Sequence, residues 1–258
     1  MQWMTLFKKE IIENWRNKKW IWVPLVFILL AIIDPISNYY MPQIIDSIGG
    51  MPEGAVFEIP ELSSAEVILM TLGQLSSLGV LVIILMSMGT IAGERKSGVI
   101  ELILVKPVSY QHYITAKWAA LLSLVWTALI LGLTACWYYT VTLFGELPVI
   151  SLLQIIFFYG LWITLVVTIV IFYNSFVKTP GLVAFLSIAT IMAMSLLTQV
   201  FGRFLEWSPN NLSGHIFESL MIDQLTGDLI ATAFVTMGLI ISFLIGAIVL
   251  FRRKSLAE

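Results

Sequence analysis

Polar residues in this chain fall in short intervals between long apolar runs, and the intervals predict the architecture. Six runs, about 20–40, 66–92, 118–143, 149–173, 181–201 and 229–251, are each near the ~20 residues a helix needs to cross a bilayer. The first is free of charge over 20–33 and is then interrupted by Asp34 and Pro35, so Asp34 is expected near its far end. The second carries Thr71, Gln74, Ser76 and Ser77 in one half and closes on Gly89 and Gly93, a G-x-x-x-G spacing that admits close helix approach. Only short connections, 144–148 and 174–180, separate the third, fourth and fifth runs, which makes these three antiparallel neighbours.

Ahead of the first run, Met4, Phe7, Ile11 and Trp15 recur at helical spacing with Lys9, Glu13 and Arg16 around the other side. That pattern predicts an amphipathic helix lying in a membrane interface, with Lys8 at its apolar edge snorkelling outward. Residues 41–65 hold Asp46, Glu53, Glu58 and Glu61 but no base, as an exposed loop would. Residues 202–228 mix charges with Trp207, Ile216, Phe217 and Leu220, a composition that suits a short re-entrant or interfacial helix pair. No internal repeat is present, and 1–258 reads as a single transmembrane domain.

Composition agrees: 59% hydrophobic residues, 12% charged and a mean hydropathy of +0.95 belong to an integral membrane protein. The expected fold class is an all-α polytopic membrane protein of six transmembrane helices. A net charge of −2 hides a strong sorting. With the N-terminus inside, thirteen of the fourteen bases lie in inner segments and only Arg203 lies outside. This satisfies the positive-inside rule with both termini cytoplasmic at the cell membrane. The one cysteine, Cys136, sits in an apolar run and is expected to be buried and inert.

Several chemistries find no support. No ionisable residue is expected at the middle of a span, where a proton- or ion-coupled carrier needs one. No cluster of His, Cys, Asp or Glu suggests a metal, and His112 and His215 fall on opposite sides of the bilayer. The stretch from Gly89, G-T-I-A-G-E-R-K-S, approaches a phosphate loop, but Glu94 occupies a position that must be glycine and a membrane helix precedes it. Topology alone explains the inner bases, so nucleic-acid binding is not implied. No cofactor is expected.

The longest charged interruption is 93–117, G-E-R-K-S-G-V-I-E-L-I-L-V-K-P-V-S-Y-Q-H-Y-I-T-A-K. Its apolar clause (Val99, Ile100 and 102–105) predicts a short helix stopped by Pro107, and Ser109 is placed to cap a second helix leading into the third span. The motif G-E-R, Gly98, I-E-L-I-L, K-P-V-S and Lys117 resembles the cytoplasmic segment between the second and third spans of ABC-2 type transporter permeases. Val99 and Lys106 depart from that pattern in minor ways.

The resemblance implies a permease that moves, and most simply exports, a drug, peptide or lipid. It would do so with a separate ABC ATP-binding subunit and a second permease copy or related permease in the bilayer. It implies no enzymatic activity in this chain. It also implies that Glu94, Arg95, Gly98, Glu101 and Pro107 form the ATPase-coupling unit, and that spans two and five face the path. On span five, Ser187, Thr190, Met194 and Thr198 lie along one side, as path or as packing positions. A non-transporting membrane subunit for sensing or immunity is the alternative.

The charge sorting yields a direct expectation. A cysteine replacing Gly54 should react with an impermeant thiol reagent in intact cells, and one replacing Ser97 should not; labelling at Ser97 from outside would invert the topology.

Overall fold

A computed structural model describes residues 2–47, 62–98 and 109–255. Among these, every regular element is helical: α1 (Gln2–Arg16), α2 (Lys19–Ser47), α3 (Ser64–Gln74), α4 (Val80–Ser87), α5 (Ala92–Lys96), α6 (Tyr110–Phe144), α7 (Val149–Phe176), α8 (Pro180–Val200), α9 (Leu212–Ile222) and α10 (Gly227–Ser255). Six segments are long and apolar enough to cross a membrane: Lys19–Ile45, Ser64–Lys96, Tyr110–Phe144, Val149–Phe176, Pro180–Val200 and Gly227–Arg253. The protein is a multi-pass, all-helical membrane protein.

Helix α7 is the axis of the bundle, with α4, α6, α8, α9 and α10 packed around it and 165–171 entirely buried. Its largely apolar sequence, with its few polar residues spread around the helix and no charge, is the pattern of a helix enclosed on all sides. Helix α2 pairs along α6. Two close approaches set these spacings. A Cβ on Gly132 of α6 would sit 3.0 Å from the backbone oxygen of Phe27, and one on Gly160 of α7 would sit 2.5 Å from the ring of Trp126. The indoles of Trp118 and Trp126 then donate across the same seam to Thr168 at 2.9 Å and Thr164 at 3.0 Å. These paired donors spare the seam the cost of unpaired polar groups in hydrocarbon.

Three expectations are corrected. Among the described residues, nothing lies within 4 Å of where a Cβ on Gly89 or Gly93 would stand, and the close packing is at Gly132 and Gly160 instead. Helix α2 does not stop near Tyr40 but continues to Ser47, which leaves Asp34 near its middle. With the Gln74 amide nitrogen turned toward it, the Asp34 carboxylate accepts at 2.6 Å, so one ionisable group stands mid-helix with a partner. The second span, expected as one helix, runs on from α3 to α4 through a π-helical turn (Leu75–Gly79), and a turn at 88–91 separates α4 from α5.

The remaining polar positions explain the ends. Ser63 and Glu66 form a reciprocal capping box at the start of α3. Ser64 Oγ donates to the Gly145 carbonyl at 3.1 Å, joining that end to the turn between α6 and α7. The segment 202–228 contains a single 3-10 turn (Pro209–Asn211) and α9, rather than a helix pair, and α9 buries Leu212 and Ile216 against the bundle. Cys136 is buried beside Thr71, as expected of an inert packing residue.

Substituting Gly160 by Val forces the Trp126 ring out of its seat, and overpacking of this kind costs about 1–3 kcal/mol. A clear drop in melting temperature in detergent is expected for Gly160→Val and none for Gly89→Ala; equal melting of the two would remove the seam from its place in the fold.

Candidate coupling site

The charged motif before the second loop lies where five elements meet, at the end of the bundle that carries most of the bases. Helix α1 turns its polar side inward: Glu10 and Asn14 are buried, whereas Met4, Ile12 and Trp15 are exposed. Lys18, at φ 57°, makes the turn from α1 into α2. Lys19 then donates to the Met86 carbonyl of α4 at 2.9 Å.

Glu94, on α5, is the hub. Its Oε1 accepts from Lys9 of α1 at 2.6 Å and from Lys117 of α6 at 2.9 Å, and its Oε2 accepts from the Tyr113 hydroxyl. Lys117 is 2% exposed and also donates to Glu10 Oε1 at 2.8 Å. Lys9 reaches Glu10 at 2.9 Å and Glu13 at 3.1 Å. The carboxylates of Glu10, Glu13 and Glu94 lie close enough together to share a cation, and they share the ammonium of Lys9. Burial alone lowers the pKa of that ammonium, but the hydrogen bond to Glu94 and the charges of Glu10 and Glu94 outweigh it and hold the pKa above its ordinary value.

Arg95 points the other way. Its guanidinium donates to the Ser175 carbonyl at the end of α7 at 3.1 Å and lies 5.5 Å from the ring centroid of Phe251 on α10. Phe251 in turn stacks on Tyr113 at 5.4 Å. Between these two anchors, the fully buried Asn174 matches the broken second span. Its Oδ1 accepts from the backbone of Ile91 at 3.1 Å and Ala92 at 3.0 Å. Its Nδ2 donates to the Ser87 carbonyl at 3.3 Å and to Val170 at 3.0 Å. One side chain therefore satisfies the end of α4 and the start of α5, groups that a helix break otherwise leaves unpaired.

Of the residues expected in the coupling unit, Glu94, Arg95 and Gly98 fall here, and Glu101 and Pro107 lie outside the described residues. Gly98 has φ +73°, the left-handed conformation that ends a helix, two residues beyond α5. Ser109 occupies the N-cap position of α6, but its side chain makes no capping hydrogen bond.

On α8, the hydroxyls of Ser187, Thr190 and Thr198 each donate to a carbonyl one turn back. Thr190 also meets the Tyr173 hydroxyl at 2.6 Å, Thr198 meets Ser208 Oγ at 2.6 Å, and Met194 packs against the core. These bonds are interior to the chain. Sequence reasoning missed Glu10, Tyr113 and Asn174. The spacing of four between Glu10 and Asn14 on one face of α1 was the available signal for the first; a lone Asn ending an apolar run carries little.

The sequence model of the ABC-2 family transporter protein matches residues 4–256, nearly the whole chain. The chain belongs to the ABC-2 transporter family. It is also similar to a protein called "Uncharacterized transmembrane protein YxlG" in Bacillus subtilis (strain 168), 31% identical over 206 residues and covering 80% of each chain. ABC-2 family members of this kind are the membrane components of transporters and are not themselves catalytic. In this ABC-2 permease, the cluster around Glu94 fixes both ends of the second membrane segment's final turn.

Replacing Lys117 by Met leaves three carboxylates around one ammonium, and breaking a buried pair in this way costs about 3–5 kcal/mol. Lower thermal stability and faster trypsin cleavage after Arg16 are expected, since α1 loses its deepest anchor. Unchanged cleavage would show that α1 is held by other contacts.

Proposed function

We propose that this permease is the membrane subunit of an ATP-driven exporter. In this reading ATP is hydrolysed on a separate ABC ATP-binding subunit, and the membrane path is completed by a second copy or a related permease. It resides in the cell membrane with both termini in the cytoplasm, as the sorting of bases supports, and α1 lies in the inner interface with Met4, Ile12 and Trp15 toward lipid.

The observation that carries the proposal is the anchoring of Glu94 and Arg95. The segment 99–108, with Glu101 and Pro107, joins Gly98 to Ser109 in the sequence. Both of its attachment points are tied to the same cluster: Glu94 and Arg95 on one side, Tyr113 and Lys117 on the other. A partner that seats on 99–108 pushes on α1, α5, α6, α7 and α10 together. Glu94 thus serves as the rigid base of the coupling segment, and Glu101 is the charge offered to the ATPase. Ser187, Thr190, Met194 and Thr198 set the orientation of α8 beside the path through their interior contacts.

Glu101→Lys is expected to leave insertion and amount unchanged while reducing retention of the ATPase subunit and abolishing transport, because like charges in an interface cost several kcal/mol. Glu58→Lys should do neither. The purified chain alone should bind no ATP. Full ATPase retention and transport in Glu101→Lys would overturn the coupling role.

A further inference from the structure

Asp34 lies inside the apolar segment Lys19–Ile45, against Gln74 of α3. Contacts at both ends fix the level of Gln74 within the second segment. At one end Ser64 bonds the turn at Gly145, and at the other the Met86 carbonyl accepts from Lys19. Gln74 is 10 residues from Ser64 and 12 from Met86, about 15 and 18 Å along the helix. Asp34 therefore stands near the middle of a layer that matches the ~30 Å of bilayer hydrocarbon.

Hydrogen bonds around the carboxyl show its ionised form. The Gln74 nitrogen donates to the two Asp34 oxygens at 2.6 and 3.2 Å and to the Leu30 carbonyl at 3.2 Å. An amide oxygen cannot bond the Leu30 carbonyl, so the nitrogen is the atom turned to Asp34, and both carboxyl oxygens accept, as an ionised group does. The negative charge has no counterpart in the chain. Ion pairs among the described residues join Lys9, Lys117 and His215 to other carboxylates, and none reaches Asp34. Residues 41–65, which follow α2, contain no Lys, Arg or His. A carboxylate inside a membrane segment without a counter-charge is costly, and such groups mark the routes of ions and substrates. The seat is also accessible. Asp34 is partly exposed, Gly73 and Ser77 beside Gln74 are exposed, and among the described residues nothing lies within 4 Å of where a Cβ on Gly73 would stand. The neighbouring Ile33, Met70 and Leu78 are exposed apolar side chains.

We infer that Asp34, held in place by Gln74, binds the cationic centre of an amphiphilic organic cation, whose apolar groups lie along Ile33, Met70 and Leu78. A small inorganic cation is a poor fit. Such an ion exchanges its water shell for several oxygens, about 6–8 for Ca²⁺. Here the Asp34 carboxylate has only the Leu30 carbonyl beside it on the Gln74 nitrogen, and no further carboxylate groups with it among the described residues. A diffuse organic cation is weakly hydrated and needs one counter-charge and apolar contact, both of which the seat offers. Service as a cargo site rests on the exporter reading and gives that exporter a cationic substrate class; binding itself does not depend on it.

The test uses the full-length chain in phosphatidylcholine nanodiscs, with tritiated tetraphenylphosphonium as probe. Tetraphenylborate, of the same shape and opposite charge, is the control, and empty nanodiscs give the lipid partitioning to subtract. The chain should bind tetraphenylphosphonium saturably, and Asp34→Asn, which keeps the shape and removes the charge, should weaken that binding roughly tenfold or more. Asp34→Glu, which keeps the charge, should bind more tightly than Asp34→Asn. Tetraphenylborate uptake should not fall in Asp34→Asn, which separates loss of the charge from loss of the fold. No saturable binding of tetraphenylphosphonium, equal binding by the wild-type chain and Asp34→Asn, or a parallel fall for both probes overturns the inference. So does an infrared band of a protonated carboxyl in the wild-type chain at neutral pH that Asp34→Glu shifts, because Asp34 is then neutral. Binding is read without ATP or transport, so its failure in a chain that still retains an ATPase subunit refutes this site and leaves the exporter reading standing.

Discussion

The constraint on which this structure depends is that a broken membrane helix must have its freed backbone groups and charges paired inside the protein. Hydrocarbon offers no water to do so. The second membrane segment breaks at the turn over 88–91, and the break is met from α7, where Asn174 joins α4 to α5. The charges that follow the break are then closed by Lys9, Lys117 and Tyr113. Buried pairs of this kind are weak evidence for stability, since desolvation offsets much of the attraction. Their effect is geometric: Lys9, Lys117, Tyr113, Glu10 and Glu94 hold α1, α5 and α6 to one another.

The fold was legible in the sequence because long uncharged runs have one solution in a bilayer. The six spans, the neighbouring order of α6, α7 and α8, and the amphipathic α1 all follow from spacing. What could not be read was any feature depending on which face meets which neighbour. Gly89 and Gly93 have the spacing of a packing motif but no close neighbour, while the isolated Gly132 and Gly160 make the close approaches. Asp34 was expected near the far end because the first span reads as ending near residue 40, whereas α2 passes through Pro35 and Pro42 and ends at Ser47.

The cluster around Glu94 was legible only by half. The G-E-R motif drew attention to Glu94 and Arg95, yet their charge suggested an outward role toward a partner. In the structure both turn inward, Glu94 to two lysines and Arg95 to the end of α7. Inner bases are expected for topological reasons alone, so nothing in the sequence separated Lys117, 2% exposed, from the solvated bases around it. Likewise the polar side of α8 carried Ser and Thr at helical spacing, and those hydroxyls are consumed by their own helix and by Tyr173 and Ser208.

Helix α6 runs 35 residues without a proline, about 52 Å, against a hydrocarbon thickness of about 30 Å. It is a single stiff rod whose first turns carry Tyr113 and Lys117, whereas the neighbouring second segment turns at 88–91. The two are tied at both ends, by Glu94 to Lys117 and Tyr113 at one and by Ser64 to the Gly145 carbonyl at the other. A stiff rod tied at both ends to a jointed strut leaves bending to the strut, so a change in the distance between the two ties is taken up at the turn over 88–91.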